Sequence, residues 1–181
     1  MRKAVTWGLF GAWLVHDIEE LVTMPVWTRR ATARLAERYP KVPRRVLSAL
    51  TVSPRQAQVA IGVVGVVVAA AAADGARTGG RSEFYQGTLA GFGVHAVGHV
   101  AGSVALRRYT PGVITAPTLV APFALWAVRE LRRAGVPLAS GGMSGAAMAA
   151  PLIIGAHVIG RVVDRRGPTD EAPTVAIRPR V

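Results

Sequence analysis

The apolar residues of this chain come in blocks instead of alternating stripes, a distribution that predicts membrane-crossing helices of about 20 residues each. A first block runs from about Ala4 to Trp27, with Pro25 near its end. A second, Gln56 to Ala73, carries no charge, and a third spans Phe84 to Leu106. Thr110-Pro111 opens a fourth block, uncharged to Val128, in which Pro117 and Pro122 predict a kinked or late-starting helix. The fifth runs from about Leu138 to Ile159, with a glycine-rich start and a kink at Pro151. The pattern predicts an all-α fold, a transmembrane bundle of about five spans forming one domain over residues 1–165. The charged, proline-containing stretch 166–181 reads as a disordered tail.

The polar stretches between the blocks set an orientation. Eight basic residues against the single acid Glu37 lie between Arg29 and Arg55, and Ala31, Leu35 and Ala36 would line one side of a short amphipathic helix ended by Pro40. Ser53-Pro54 reads as a helix start, with Ser as N-cap and Pro in the first helical position. By the positive-inside rule the Arg29–Arg55 loop is cytoplasmic. Five spans then place the N-terminus outside and the C-terminus inside a cell membrane, with fifteen basic residues on the cytoplasmic side and seven outside. Arg129, Arg132 and Arg133 fit this arrangement least well.

Composition changes the picture in three ways. Of 181 residues 51% are hydrophobic, mostly Ala, Val, Gly and Leu, and small residues of this kind let helices approach closely in lipid. The net charge of +12 sits mainly between and after the apolar blocks, so it reads as orientation signal and contact with membrane lipid, and nucleic acid is set aside as a partner. With no cysteine, any metal must be held by nitrogen and oxygen. Met1-Arg2-Lys3 before an apolar run imitates a secretory signal, but a signal core does not carry a histidine and three carboxylates, so the segment is kept as a span.

Those charged groups are the candidate chemistry. In the segment Trp13 to Val22, helical spacing puts His16, Glu19 and Glu20 on one side and turns Asp17 about 100° away. A charged side chain at mid-membrane costs about 2.5 to 3.5 kcal/mol on insertion scales, so such groups face a partner or a cavity. The pattern His16-x-x-Glu19-Glu20 in a small hydrophobic chain of bacterial type resembles the membrane family of uncharacterised function named for its HXXEE motif. A second element, His95-Ala96-Val97-Gly98-His99, lies in another apolar block, as the resemblance leads one to expect. What the resemblance implies is a multi-span protein suspected of metal-dependent chemistry, with no substrate attached.

All four histidines fall in apolar blocks, and His157 in the fifth lies near the depth of the others. His16, Glu19, Glu20, His95, His99 and His157 are therefore the candidate ligands for one or two divalent ions (iron, zinc or manganese), combining neutral nitrogen with charge-neutralising oxygen. A shared site requires their donor atoms to meet within a few ångströms. Glu19 and Glu20 are the candidate catalytic groups, one as general base in a hydrolase or both as ligands in an oxidoreductase acting on a lipid or other membrane-soluble substrate. Each residue also has a plainer use. The histidines can satisfy polar helix packing, the glutamates can pair with an arginine such as Arg129, and the set can pass protons or metal ions or simply glue a scaffold together. Asp17 is a candidate for holding a histidine tautomer, Gly91, Gly98 and Gly102 are candidates for helix packing, and the tryptophans suit interface anchoring.

Overall fold

The computed structural model describes residues 3–139 and 142–166, with the backbone alone for 142–146. Among the described residues there are six helices and no strand: α1 (Lys3–Arg38), α2 (Arg44–Leu50), α3 (Pro54–Arg77), α4 (Glu83–Leu106), α5 (Ala121–Arg133) and α6 (Gly142–Arg166). A single π-helical turn, Ala116–Val120, leads into α5. It carries Pro117, and Pro122 opens α5, so the two prolines delay the regular helix as their positions predict. The tail expected over 166–181 falls, from residue 167 onward, outside the described residues.

Two of the sequence expectations need correcting. The amphipathic segment around Ala31–Ala36 is no separate helix: α1 continues through Pro25 to Arg38, because Thr28 to Arg38 contains no glycine or proline to stop it. The basic loop instead holds α2, which follows Pro43 and buries no side chain. The start of α3 is as expected, with Pro54 in the first turn and the Ser53 hydroxyl accepting from the Gln56 amide. That hydroxyl also donates to Asp164 near the end of α6, tying the two helix ends together.

The helices close a ring. α1 packs on α3, α3 on α6, α6 on α4, and α5 with its π turn fills the gap between α4 and α1. Leu9, Trp13, Val68, Tyr85, Leu89, Val120 and Leu131 are buried in the shared core. The Tyr85 hydroxyl donates to the Val5 carbonyl at 2.6 Å, which fixes α4 against α1 without leaving a buried polar group unpaired. α3, α4 and the Ala147–Arg166 part of α6 are long and apolar enough to cross a membrane. Their outer faces, with that of α1, leave Val22, Val66, Val97, Val104 and Ile154 exposed, a spread of apolar surface that marks contact with lipid or another chain.

Close approach occurs at particular glycines. A Cβ on Gly65 would lie 2.6 Å from the Trp13 ring, one on Gly75 2.5 Å from Tyr85, and one on Gly160 2.5 Å from the Gln56 carbonyl oxygen. Gly98 and Gly102, expected to be packing residues, have nothing within 4 Å of such a carbon. Overpacking costs about 1 to 3 kcal/mol. Gly160→Ala, which meets backbone that cannot swing away, should therefore lower the thermal midpoint of the detergent-solubilised chain, while Gly98→Ala leaves it unchanged. Equal midpoints for the two variants would contradict this account of the α3–α6 contact.

Candidate metal centre

Helical spacing supplies the centre from two elements. On α1, His16 and Glu20 stand one turn apart, and on α4, His95 and His99 do the same, so four donors face each other across the narrow gap between the helices. One donor atom from each of these residues lies within 4.8 Å of the others. The ring centroids are 5.4 Å apart for His16 and His95, 4.9 Å for His16 and His99, and 4.3 Å for His95 and His99. Nε2 of His95 and Nε2 of His99 are 2.7 Å apart, and Glu20 Oε1 is 3.4 Å from the latter. Ligand bonds of about 2.0 to 2.2 Å place donors sharing one ion about 3 to 4 Å apart, so this set, with donors from 2.7 Å to at most 4.8 Å apart, needs side-chain shifts of about an ångström to hold a single ion.

The segment joining α4 to the π turn folds back over these rings. His99 Nδ1 lies 2.7 Å from the Pro111 carbonyl oxygen, which can only accept, so Nδ1 carries the proton and Nε2 offers its lone pair. Thr115 settles His16 by the same logic. Its hydroxyl donates to Glu19 Oε2 at 2.6 Å, its oxygen lies 2.7 Å from His16 Nδ1, and the single hydroxyl proton goes to the carboxylate. His16 Nδ1 is then the donor to Thr115, and its Nε2 lone pair is aimed at the cluster. That Nε2 is buried and has no hydrogen-bond partner among the described residues. A buried nitrogen lone pair left unmatched beside two other imidazole nitrogens and a carboxylate is what a cation would satisfy, so the residues fit a metal ion.

Glu19 therefore stands apart from the donor group. Its carboxylate accepts from the Thr115 amide (2.9 Å), the Ile114 amide (3.3 Å) and the Tyr109 hydroxyl (2.8 Å), and it reaches His16 only through the Thr115 hydroxyl. Burial first, and then the Glu19 carboxylate beside it, hold the Tyr109 phenol above its usual range. The arrangement carboxylate, hydroxyl, imidazole is a variant of the carboxylate–histidine support found behind metal ligands, whose loss lowers metal affinity about 10- to 100-fold. Thr115→Val should produce a drop of that size in a chelator competition, and Thr115→Ser should restore it. An unchanged affinity in the valine variant would remove this role from Glu19.

His157 also lies outside the donor group. It sits on α6, its Nδ1 is buried without a partner among the described residues, and it lines a cavity of about 380 Å³ between α1, α3, α4 and α6. Glu20, His95 and Asp17 line the same cavity, Asp17 being 7% exposed. Glu20 and His95 also border a second, more open pocket, with His99, Trp27 and Thr110. The sequence reading missed Tyr109, Pro111, Gly112 and Thr115. The available signal is Pro111-Gly112, a turn dipeptide at the start of the fourth apolar block.

An all-helical chain in which two helices bring three imidazoles and a carboxylate into one largely buried group is a bundle protein with a candidate metal centre. Residues 7–127 match the family described as a protein of unknown function with HXXEE motif, and the chain belongs to that family. The motif itself is His16-Asp17-Ile18-Glu19-Glu20, and the matched span contains all four clustered donors and the Tyr109–Thr115 segment but not α6. No curated protein and no solved structure matches the chain.

Proposed function

We propose that this protein is an integral membrane metalloprotein and a metal-dependent enzyme, acting on a lipid or other membrane-soluble substrate at the His16, Glu20, His95 and His99 centre. The observation that carries the reading is the unmatched His16 Nε2 facing three further donors. Three nitrogens and one carboxylate oxygen suit zinc, iron or manganese. The chemistry that a bound divalent ion supplies is Lewis-acid polarisation of an oxygen or activation of a water. The chain's own residues divide the remaining work. Glu20 supplies the negative charge among the donors, Glu19 holds the His16 tautomer through Thr115, and Asp17, facing the cavity, is the carboxylate placed to take a proton from a bound molecule.

In this reading α1, α3, α4, the π turn with α5, and α6 are five crossings of one domain over residues 1–165, with the N-terminus outside and the C-terminus cytoplasmic. The basic loop Arg29–Arg55 and the exposed apolar faces support it. A reporter fused after Val181 should then read as cytoplasmic and one at Gly79 as external. A cytoplasmic signal at Gly79 would overturn the topology. Elemental analysis of the purified chain should find about one iron, zinc or manganese per molecule. Its absence after chelator-free purification would favour a scaffold whose histidines only join helices.

A second reading is favoured by one observation: Glu20 and His95 border two pockets, as the donors along a path for an ion in transit would. Metal uptake into vesicles holding the protein, lost in a His95→Ala variant, would support passage in place of catalysis.

A further inference from the structure

The cavity beside the centre has a definite shape and polarity. Its walls are apolar, formed by Trp13, Ile61, Val64, Phe92, Leu152 and Ile153. Its volume of about 380 Å³ lies in the range of about 300 to 1,000 Å³ typical of small-ligand sites. Along α4 the lining residues run from Phe84 to His95, about 16 Å at the helical rise. Phe84 and Met148, at the far end from the histidines, are 46% and 64% exposed, so the mouth lies there. The space is an elongated apolar slot with its entrance at one end and the donor group at the other.

The polar side chains in the slot are the carboxylates Asp17, Glu20 and Glu83, the imidazoles His95 and His157, and the Thr88 hydroxyl, and among the described residues no Lys or Arg lines the cavity. Among the described residues His157 Nδ1 is buried without a partner, and the Asp17 carboxylate, 7% exposed, makes no hydrogen bond that would occupy it. An anionic headgroup entering this slot would pass Glu83 at the mouth and meet Asp17 and Glu20 at the inner end, with no basic side chain among the described lining residues to receive it. A hydroxyl or other neutral donor would instead find the Asp17 carboxylate and the His157 nitrogen as acceptors.

We propose that the slot binds a single-chain neutral amphiphile, a long-chain alcohol or a lipid ending in hydroxyls. Its hydrocarbon chain lies between α3, α4 and α6, and its polar end reaches Asp17, His157 and the His95–Glu20 edge of the centre. This assignment names the substrate class of the centre and so rests on the proposed function, although the binding itself needs no metal.

The probe is a brominated straight-chain primary alcohol, and its comparators are the matching fatty acid and a brominated phosphatidylcholine. Bromine quenches an indole it touches, and Trp13 lines the slot, so the reporter is the full chain with Trp7, Trp27 and Trp126 replaced by Phe. The alcohol should quench Trp13 saturably and bind about tenfold or more tighter than the acid, a difference of about 1.4 kcal/mol. In a Val64→Phe, Leu152→Phe chain, where added volume fills the slot, quenching should disappear while metal content and helical signal stay as in the parent.

Quenching that survives in the filled variant places the probe on the outer surface and overturns the proposal. Acid or phosphatidylcholine binding as tightly as the alcohol overturns the substrate class. If the filled variant fails to fold, Asp17→Asn and His157→Phe decide: both should weaken alcohol binding, Asp17→Asn should in addition tighten acid binding by removing a like charge, and no change in either sinks the proposal. Saturable quenching in a parent chain that elemental analysis finds free of metal would show the metal reading failing while the slot stands. Stoichiometric metal without quenching would show the reverse.

Discussion

A His99→Ala chain should lose its bound metal while keeping its helices. His99 is the residue on which the donor group converges, with His95 Nε2 at 2.7 Å and Glu20 Oε1 at 3.4 Å from its own Nε2. Removing it takes away one nitrogen ligand outright, so the loss of affinity should exceed the roughly 100-fold that removal of a supporting residue costs. The fold should survive, because α4 is held through Tyr85 and Leu89 in the core and by α6. Glu20→Gln keeps the shape but removes the one negative charge in the group, leaving three neutral imidazoles to balance a divalent cation. It should weaken metal binding more than His157→Ala, because His157 stands outside the group. Metal content by elemental analysis, with helicity from circular dichroism as the folding control, reads both effects. Full occupancy in His99→Ala would remove the centre as described.

Gly112→Ala should be nearly as damaging, although the residue is no ligand. Its φ is +80°, a backbone region that costs a residue with a side chain about 1 to 3 kcal/mol. A Cβ there would lie 2.7 Å from His99 Cε1 and Nδ1 and 2.8 Å from His16 Cε1. Both rings are held by hydrogen bonds from the same segment, to Pro111 and Thr115, and neither can move without breaking them. Gly135→Ala is the matched control: its φ is +66°, with nothing within 4 Å of the new carbon. Gly135→Ala should lower the thermal midpoint and leave metal binding intact, whereas Gly112→Ala should lower both. Equal metal affinity in the two variants would mean that the segment does not set the ring positions.

The helices and their polar inserts were legible in the sequence for a local reason. Block length and hydrophobicity are properties of neighbours along the chain, and so are caps such as Ser53-Pro54 and the one-turn spacing of His16 with Glu20 and His95 with His99. α1 outruns its apolar block, because hydrophobicity ends at Trp27 while nothing in the basic residues that follow stops a helix. Pro25 removes one donor from a helix that neighbouring packing still holds. The glycines expected to pack were misassigned because a small residue shows that close approach is possible, not which neighbour approaches. Gly75 and Gly160 meet other helices, and Gly98 meets open space.

The roles of the two glutamates separate the local from the tertiary most clearly. Residue type and periodicity by themselves determined that this chain is all-helical, that it belongs to the HXXEE family, and that histidines and carboxylates lie inside apolar helices. Spacing alone made Glu19 and Glu20 equivalent, both within one turn of His16. Only the fold set them apart, by bringing Tyr109, Ile114 and Thr115, some 90 residues further along, onto Glu19 and leaving Glu20 to face His99. The physical reason is that a carboxylate's function follows from which donors surround it, and donors supplied by a distant turn leave no periodic trace in the sequence.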